Sequence, residues 1–219
     1  MASFNWSFFI SSRGTYLDRG FRIRKPKALL WPTVDILVPT YNEDLSILRR
    51  TLTGCILQDY PPDRLHIYVC DDGARPAVEH LAEVMGVRYL SRKTRTDAKA
   101  GNLNAALAQT TSEFVVIFDA DMVPKPKAVK TLVKPVLQNT PCAFSQAPQA
   151  FFNHDPFQHN LGLYEALPNE QDFFMRSLQA ARAQVNALLF VGSNAAWRRP
   201  HFVKRSGAKL KPFGSPRKT

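Results

Sequence analysis

Asp119 and Asp121 close an apolar run, E-F-V-V-I-F-D-A-D over 113–121. In an extended backbone, residues two apart point the same way, so both carboxylates face one space. Side by side they repel, and a hard divalent cation bound through oxygen and shared with a phosphate relieves the repulsion. A lone D-x-D reads more readily as a strand followed by a solvated acidic turn. This pair has company: Thr40 and Glu43 in P-T-Y-N-E-D, and Asp71-Asp72-Gly73, each follow another apolar run. Lys99, in the basic stretch S-R-K-T-R-T-D-A-K-A-G-N over 91–102, offers an ammonium to an anion; taken alone it is a solvated residue at a helix start. Asp72 reads as a turn former before Gly73. His154 and His159 stand five apart beside Asp155, which is poor spacing for one helix face, and no cysteine is near, so a zinc site is not expected.

The elements that must position these groups follow from the apolar pattern. Phe114 to Phe118 are bulky and mostly β-branched or aromatic, as in a central strand buried on both faces. Asp119 then stands at the carboxyl end of that strand, the edge at which open α/β sheets bind ligands. Further strands are expected over 34–38, 65–70, 87–90 and 143–146. Helices are expected after a cap at Asn42 or Asp44, where Ile47, Leu48, Leu52, Cys55 and Ile56 recur at helical spacing, then from Pro76 to Met85, around Leu103 and Leu107, and over 127–137. This alternation implies a parallel, doubly wound sheet with right-handed crossovers. Parallel strands share a direction, so residues 40–43, 71–73 and 119–121 must open onto one crevice. Residues 1–33 mix aromatic and basic residues without period and read as a lead-in. From Gln149 the chain turns aromatic and irregular, a long helix is expected over 161–183, and L-L-F-V-G-S-N-A-A-W-R-R reads as a strand and tight turn. The stretch over 200–219 has no apolar periodicity and reads as a disordered tail.

Length and composition fit one globular domain over 34–199 with ragged ends. The net charge of +11 resides in those ends: residues 1–27 carry +5 and residues 201–219 carry +6, while 28–200 hold seventeen charges of each sign. A neutral core argues against a nucleic-acid-binding face and leaves the ends as solvated or membrane-surface tails. Cys55, Cys70 and Cys142 form no C-x-x-C pair and read as buried thiols of a reducing compartment. No apolar run reaches the roughly 18 residues that would mark a membrane helix, and the N-terminus lacks a signal-peptide layout.

The P-T-Y-N-E loop, D-D-G and D-A-D, in this order and spacing, resemble the family 2 glycosyltransferases. K-A-G-N-L-N (99–104), Q-A-P-Q-A-F-F-N-H-D-P-F-Q-H-N-L (146–161), N-E-Q-D-F-F (169–174) and F-V-G-S-N-A-A-W-R-R (190–199) are similar to the processive β-glucan synthases of the cellulose synthase type. The resemblance covers about residues 34–199 and implies a nucleotide-sugar-binding GT-A fold, α/β with a central, mainly parallel sheet flanked by helices. It further implies a UDP-sugar donor, UDP-glucose favoured, with Mg²⁺ or Mn²⁺ on Asp119 and Asp121. Asp71 and the loop holding Thr40 and Glu43 would take the uridine, and Lys99 and Asp119 would lie at the diphosphate. Gly192, Ser193 and Asn194, with the aromatic Q-x-P-x-x-F-F segment, would lie along a glucan acceptor. In such chemistry, charge develops on the departing diphosphate, where metal and ammonium stabilise it, and a carboxylate base takes the acceptor proton.

The T-E-D motif that supplies that base in the family, and its Q-x-x-R-W motif, do not occur in this sequence, and residues 201–219 contain no acid. The catalytic base is therefore unassigned, and the chain is expected to bind donor without polymerising, as a domain incomplete at its C-terminus. The alternative is a non-catalytic nucleotide-sugar-binding or decoy subunit of a synthase. Glu165, Glu170 and Asp172 read as bracing the long helix, and Trp197 as core or interface. Family resemblance implies the cytosolic side of a membrane, with a membrane surface or full-length synthase subunits as partners, and the fragment itself is expected to be soluble.

Overall fold

The computed structural model describes residues 9–11, 30–139, 142–149, 160, 162, 173–185 and 187–199. Strand β2 (Val34–Thr40) is buried along its whole length and lies inside the sheet. It pairs in parallel with β3 (Leu65–Asp71) on one side and β5 (Phe114–Ile117) on the other, and β4 (Arg88–Ser91) adds in parallel to β3. Helices α1 (Leu45–Ile56), α2 (Pro76–Val84), α3 (Ala98–Gln109) and α4 (Ala128–Gln138) fall between or after these strands. Alternation along the strands sorts the core into two layers. Ile36, Val38, Val69, Val116 and Phe118 point toward α1, α2 and α4, through Leu48, Leu52, Val78, Leu81, Leu132 and Val136. Leu37, Cys70, Val115 and Ile117 point the other way, toward Leu103, Ala106 and Leu107 of α3. With helices on both faces, the expected α/β architecture is present.

The sheet departs from a simple parallel array on one flank. Among the described residues seven strands form one sheet in the order β1-β6-β7-β5-β2-β3-β4. β6 (Phe144–Gln146) does not lie beside β5, because β7 (Ala195–Arg198) runs antiparallel between them, with Ala195 opposite both Ile117 and Gln146. Periodicity cannot reveal this, since a four-residue strand carries no direction in its sequence. The outer edge is β1 (Phe9–Ser11), antiparallel to β6. Its stretch, within residues expected to be a lead-in, is thus part of the sheet. Trp31, near the end of the same expected lead-in, also packs onto the fold, its indole 5.5 Å from the Tyr60 ring and 5.7 Å from Lys130 Nζ.

Only part of the expected helix over 161–183 is described. Phe174–Leu178 winds as a π-helix and continues into α5 (Gln179–Gln184). Trp197 stacks on Phe144 at 4.2 Å and meets Phe190 edge-on at 5.1 Å, as expected of an interior aromatic. Cys55, Cys70 and Cys142 are buried and free, and burial pushes the Cys70 thiol up to about 12. No helix among the described residues is long and apolar enough to cross a membrane. His154, Asp155, His159, Glu165, Glu170, Asp172 and residues 200–219 lie outside the described residues.

Candidate active site

Where the parallel strands end, their loops part around a cavity of about 540 Å³. After β2 come Thr40, Tyr41 and Glu43; after β3, Asp72; after β4, Arg95; after β5, Asp119 and Asp121. The first turn of α3 closes the floor with Lys99 and Asn102, whose Nδ2 donates to the Cys70 carbonyl at 2.6 Å. Asp97 gives α3 no side-chain cap, and Ala98, Lys99 and Asn102 border the cavity, so the positive end of the helix dipole lies beside it. Asp97 and Ala98, which start that helix, both have positive φ, 59° and 42°. A second, shallower groove of about 670 Å³ adjoins it, lined by Ala74, Ser91, Arg92, Lys93 and Arg95.

Arginines hold the rim. Arg75 donates from Nε to Asp71 at 3.2 Å, from Nη1 to the Glu43 carbonyl at 2.8 Å and from Nη2 to Thr40 Oγ1 at 2.7 Å. Glu43 in turn accepts from Thr40 Oγ1 and the Tyr41 N–H, each at 2.7 Å. Burial pushes the Glu43 carboxyl up, but those hydrogen bonds and the Arg75 charge outweigh it and hold it below the ordinary glutamate range. Arg92 grips Asp72 with two nitrogens, at 2.5 and 2.8 Å, and this charge-assisted fork raises the guanidinium's own pKa further. Arg95 donates to the Gly73 carbonyl at 2.9 Å and lies 5.8 Å over the half-exposed ring of Tyr41.

At the other end, the Lys99 ammonium is ion-paired with Asp119. Asp121 is exposed, and no side-chain partner for it occurs among the described residues. The turn ahead of β7 lies beside this pair, because β7 begins opposite the end of β5. Fully buried Ser193 accepts the Asp119 N–H at 2.9 Å, and Asn194 continues the turn at φ 51°. Gly192 has φ 95°, and a Cβ there would stand 3.7 Å from Lys99 Nζ. Two buried glutamines fix the approach to the turn: Gln146 accepts from the Val191 N–H at 2.9 Å, and Gln179 donates to the Leu189 carbonyl at 2.8 Å.

The structure therefore brings Thr40, Glu43, Lys99, Asp119 and Asp121 around one cavity and sets Gly192, Ser193 and Asn194 against its acidic end. Asp71 does not line the cavity. Its carboxylate is fully buried behind the wall, where it accepts from the Gly73 N–H at 3.0 Å, the Arg75 N–H at 2.6 Å and the Tyr89 hydroxyl at 3.2 Å. Burial first, then the Asp71 charge, pushes that tyrosine up to about 12. The cavity at this strand end is bordered by Asp72 instead, which is more than the turn former its place before Gly73 suggested. Tyr41, Arg95 and Asn102 were also not singled out in the sequence. The basic loop over 91–97 carried the one available signal, since acidic strand ends need counter-charges.

Comparison with known proteins bears on the family and the fold. The family model described as "Glycosyl transferase family 2" matches residues 35–205. The cellulose synthase catalytic subunit of Pseudomonas fluorescens is 39% identical over 180 residues, 82% of this chain and 24% of that protein. Cellulose synthase 1 of Komagataeibacter xylinus is 40% identical over 77% of this chain and 11% of its own length. The chain thus spans about a quarter or less of these relatives. Glucosyl-3-phosphoglycerate synthase from Mycobacterium tuberculosis, solved with Mn²⁺, UDP and glucosyl-3-phosphoglycerate, overlays with a TM-score of 0.51 at 22% identity, over 77% of this chain and 57% of that one, a likeness of fold. Sheet order, converging strand ends and matched residues agree on a GT-A fold, and the chain belongs to glycosyl transferase family 2.

Proposed function

We propose that this chain binds a nucleoside-diphosphate sugar, UDP-glucose before others, and supplies the donor half of an inverting glucosyl transfer to a β-glucan acceptor. The observation that carries the reading is the chemical polarity of the cavity. Its lining follows the strand order β5-β2-β3-β4, so Asp119, Asp121 and Lys99 gather at one end and Tyr41, Asp72 and Arg95 toward the other. Four strands side by side span roughly 14 Å at ordinary strand spacing, enough for a nucleoside with its phosphates. The exposed Tyr41 ring offers a stacking surface to a base, and the Thr40–Glu43 bond, braced by Arg75, fixes the loop that presents it. Asp71 then acts from behind the wall, holding Arg75 and the 71–75 turn.

The diphosphate belongs at the acidic end with a divalent cation, Mg²⁺ or Mn²⁺. Among the described residues no three His, Cys, Asp or Glu side chains gather to cage an ion. Two carboxylates on one face, opening onto a cavity, fit a cation that completes its shell from phosphate oxygens and water. When bound, the cation offsets charge on the departing diphosphate. Lys99 and the uncapped N-terminus of α3 add positive potential at the same place. Ser193 holds the Asp119 backbone, so the turn carrying Gly192 and Asn194 sets the acceptor against the donor carbon. A glucan, and in the cell a membrane surface or synthase subunits, are the partners this reading implies.

Calorimetric titration tests it. UDP should bind weakly in chelator and at least tenfold more tightly in Mn²⁺, roughly 1.4 kcal/mol, and should outcompete ADP and GDP. Equal affinity in chelator and in Mn²⁺ sinks the metal site. An unselective cavity reduces the reading to diphosphate capture.

A further inference from the structure

The Lys99–Asp119 ion pair raises a question of order, because the ammonium occupies one of the two carboxylates a cation would use. We propose that Lys99 is a placeholder charge, neutralising Asp119 while the cavity is empty and yielding it only to a cation that arrives already chelated by a diphosphate. The site then takes the metal–nucleoside diphosphate chelate as one unit. This rests on the donor-site reading above and deepens it.

Four observations support the exchange. The pair is partly solvated, with side-chain exposures of 42% for Lys99 and 31% for Asp119, so breaking it costs little. Asp119 cannot follow a departing ammonium easily, since its N–H is held by buried Ser193. Lys99 can move, because the neighbouring residue on the turn side is Gly192, which puts no side chain beside the ammonium. Asp121, exposed and with no side-chain partner among the described residues, remains available as the first carboxylate an incoming cation meets.

Charge accounting fixes the sign. Asp119, Asp121 and Lys99 together carry −1, so a bare dication entering the site leaves +1, with an ammonium and a dication competing for the same oxygen. The ammonium and the dication repel each other at these separations, whatever dielectric applies, and that repulsion lowers the affinity for bare metal. A dication with a diphosphate attached brings two or more negative charges, and the released ammonium turns from competitor into counter-ion. Lys99 thus opposes metal alone and favours metal with nucleotide, which makes the two ligands mutually dependent; by linkage, each must then raise the other's affinity equally. A lysine that reached phosphate without pairing with Asp119 would depress the affinity for bare metal less, since it would not occupy a metal-binding oxygen.

The test uses the full chain, with bare Mn²⁺ binding followed by electron paramagnetic resonance of the free ion and UDP binding by calorimetry in saturating Mn²⁺. Lys99→Met should bind Mn²⁺ alone roughly tenfold more tightly, yet bind UDP in Mn²⁺ roughly tenfold more weakly. Lys99→Gln should do the same, and Lys99→Arg should resemble the wild type in both. Thermal melts check that each variant is folded. If Lys99→Met and Lys99→Gln leave bare Mn²⁺ affinity unchanged or lower while UDP binding still requires Mn²⁺, the placeholder is overturned and the donor site stands. If Asp119→Asn retains full Mn²⁺-dependent UDP binding, the donor-site reading falls and this inference with it.

Discussion

Arg75 bonds Asp71, Thr40 and the Glu43 carbonyl through three separate nitrogens, so one side chain sets the positions of two strand ends and a loop. Replacing it with alanine leaves the Asp71 carboxylate buried without its guanidinium, a defect worth about 3 kcal/mol. Urea denaturation of Arg75→Ala should show that loss, and Arg75→Lys should recover only part of it, because an ammonium cannot span the same fork. A smaller effect is expected at Glu43, whose carboxyl titrates below the ordinary glutamate range in the fold. Its hydrogen bonds from Thr40 and Tyr41 contribute fully above the unfolded value and are lost as pH falls through the lower folded value. Melting temperature should therefore decline less steeply with acid in Glu43→Gln than in the wild type, and parallel curves would refute that. At this scale alternation put Asp119 and Asp121 on one side, and both border the cavity, although β5 ends at Ile117 and the Met122 N–H closes a turn onto the Asp119 carbonyl at 3.0 Å. It did not separate Asp71 from Asp72, because the chain turns there and alternation no longer says which carboxylate borders the cavity.

Helix α3 shows how one small residue can serve an element and a site together. A Cβ at Gly101 would run into the Thr96 carbonyl and the Arg92 guanidinium, so the loop over 92–96 can lie against the helix only if this position is bare. Arg92 donates to the Thr96 carbonyl at 2.6 Å and to the Ala98 carbonyl at 3.0 Å while gripping Asp72. Gly101→Ala should lower the melting temperature and weaken UDP binding in Mn²⁺ by at least tenfold, about 1.4 kcal/mol, although alanine is the better helix former. A stabilised variant with unchanged UDP affinity would show that the close approach is unimportant. The helix itself was readable from Leu103 and Leu107, and so were α1, α2 and α4 from their apolar spacing. Its strained start at Asp97 and Ala98 was not, since positive φ at a non-glycine residue leaves no mark in composition.

The molecule as a whole is pinned at the end of the sheet away from the cavity. Fully buried Asp35 accepts from Arg199 Nη2 at 2.6 Å, from Ser112 Oγ at 2.6 Å and from the Ser112 N–H at 2.9 Å, with His66 Nδ1 at 3.2 Å. Arg199→Met should cost about 3 kcal/mol or more, as expected when one partner of a buried pair is removed, yet leave UDP affinity unchanged at temperatures where the variant is folded. A loss of affinity would mean that β7 relays strain to Ser193. Transfer itself is a separate proposal: we expect donor binding without polymerisation, since a transferase with no base in reach of the acceptor forfeits about 10²–10⁴ in rate. Incubated with UDP-glucose, Mn²⁺ and cello-oligosaccharide, this chain should release glucose slowly and elongate nothing; elongated product would overturn that. The α/β class was legible because long buried runs alternate with helical spacing, whereas the reversed strand was not. That reversed strand also governs when the protein can become itself. β7 is the last of the described strands along the chain but sits inside the sheet, so until residues 195–198 leave the ribosome β5 has a bare edge and β6 has no partner on that side. A nascent chain must wait with two unjoined pieces of sheet, the β2–β5 array on one hand and the β1–β6 ribbon on the other, and β7 is the keystone that joins them. Hydrogen exchange should find the β5–β7 and β6–β7 amides opening together, as one late-closing unit.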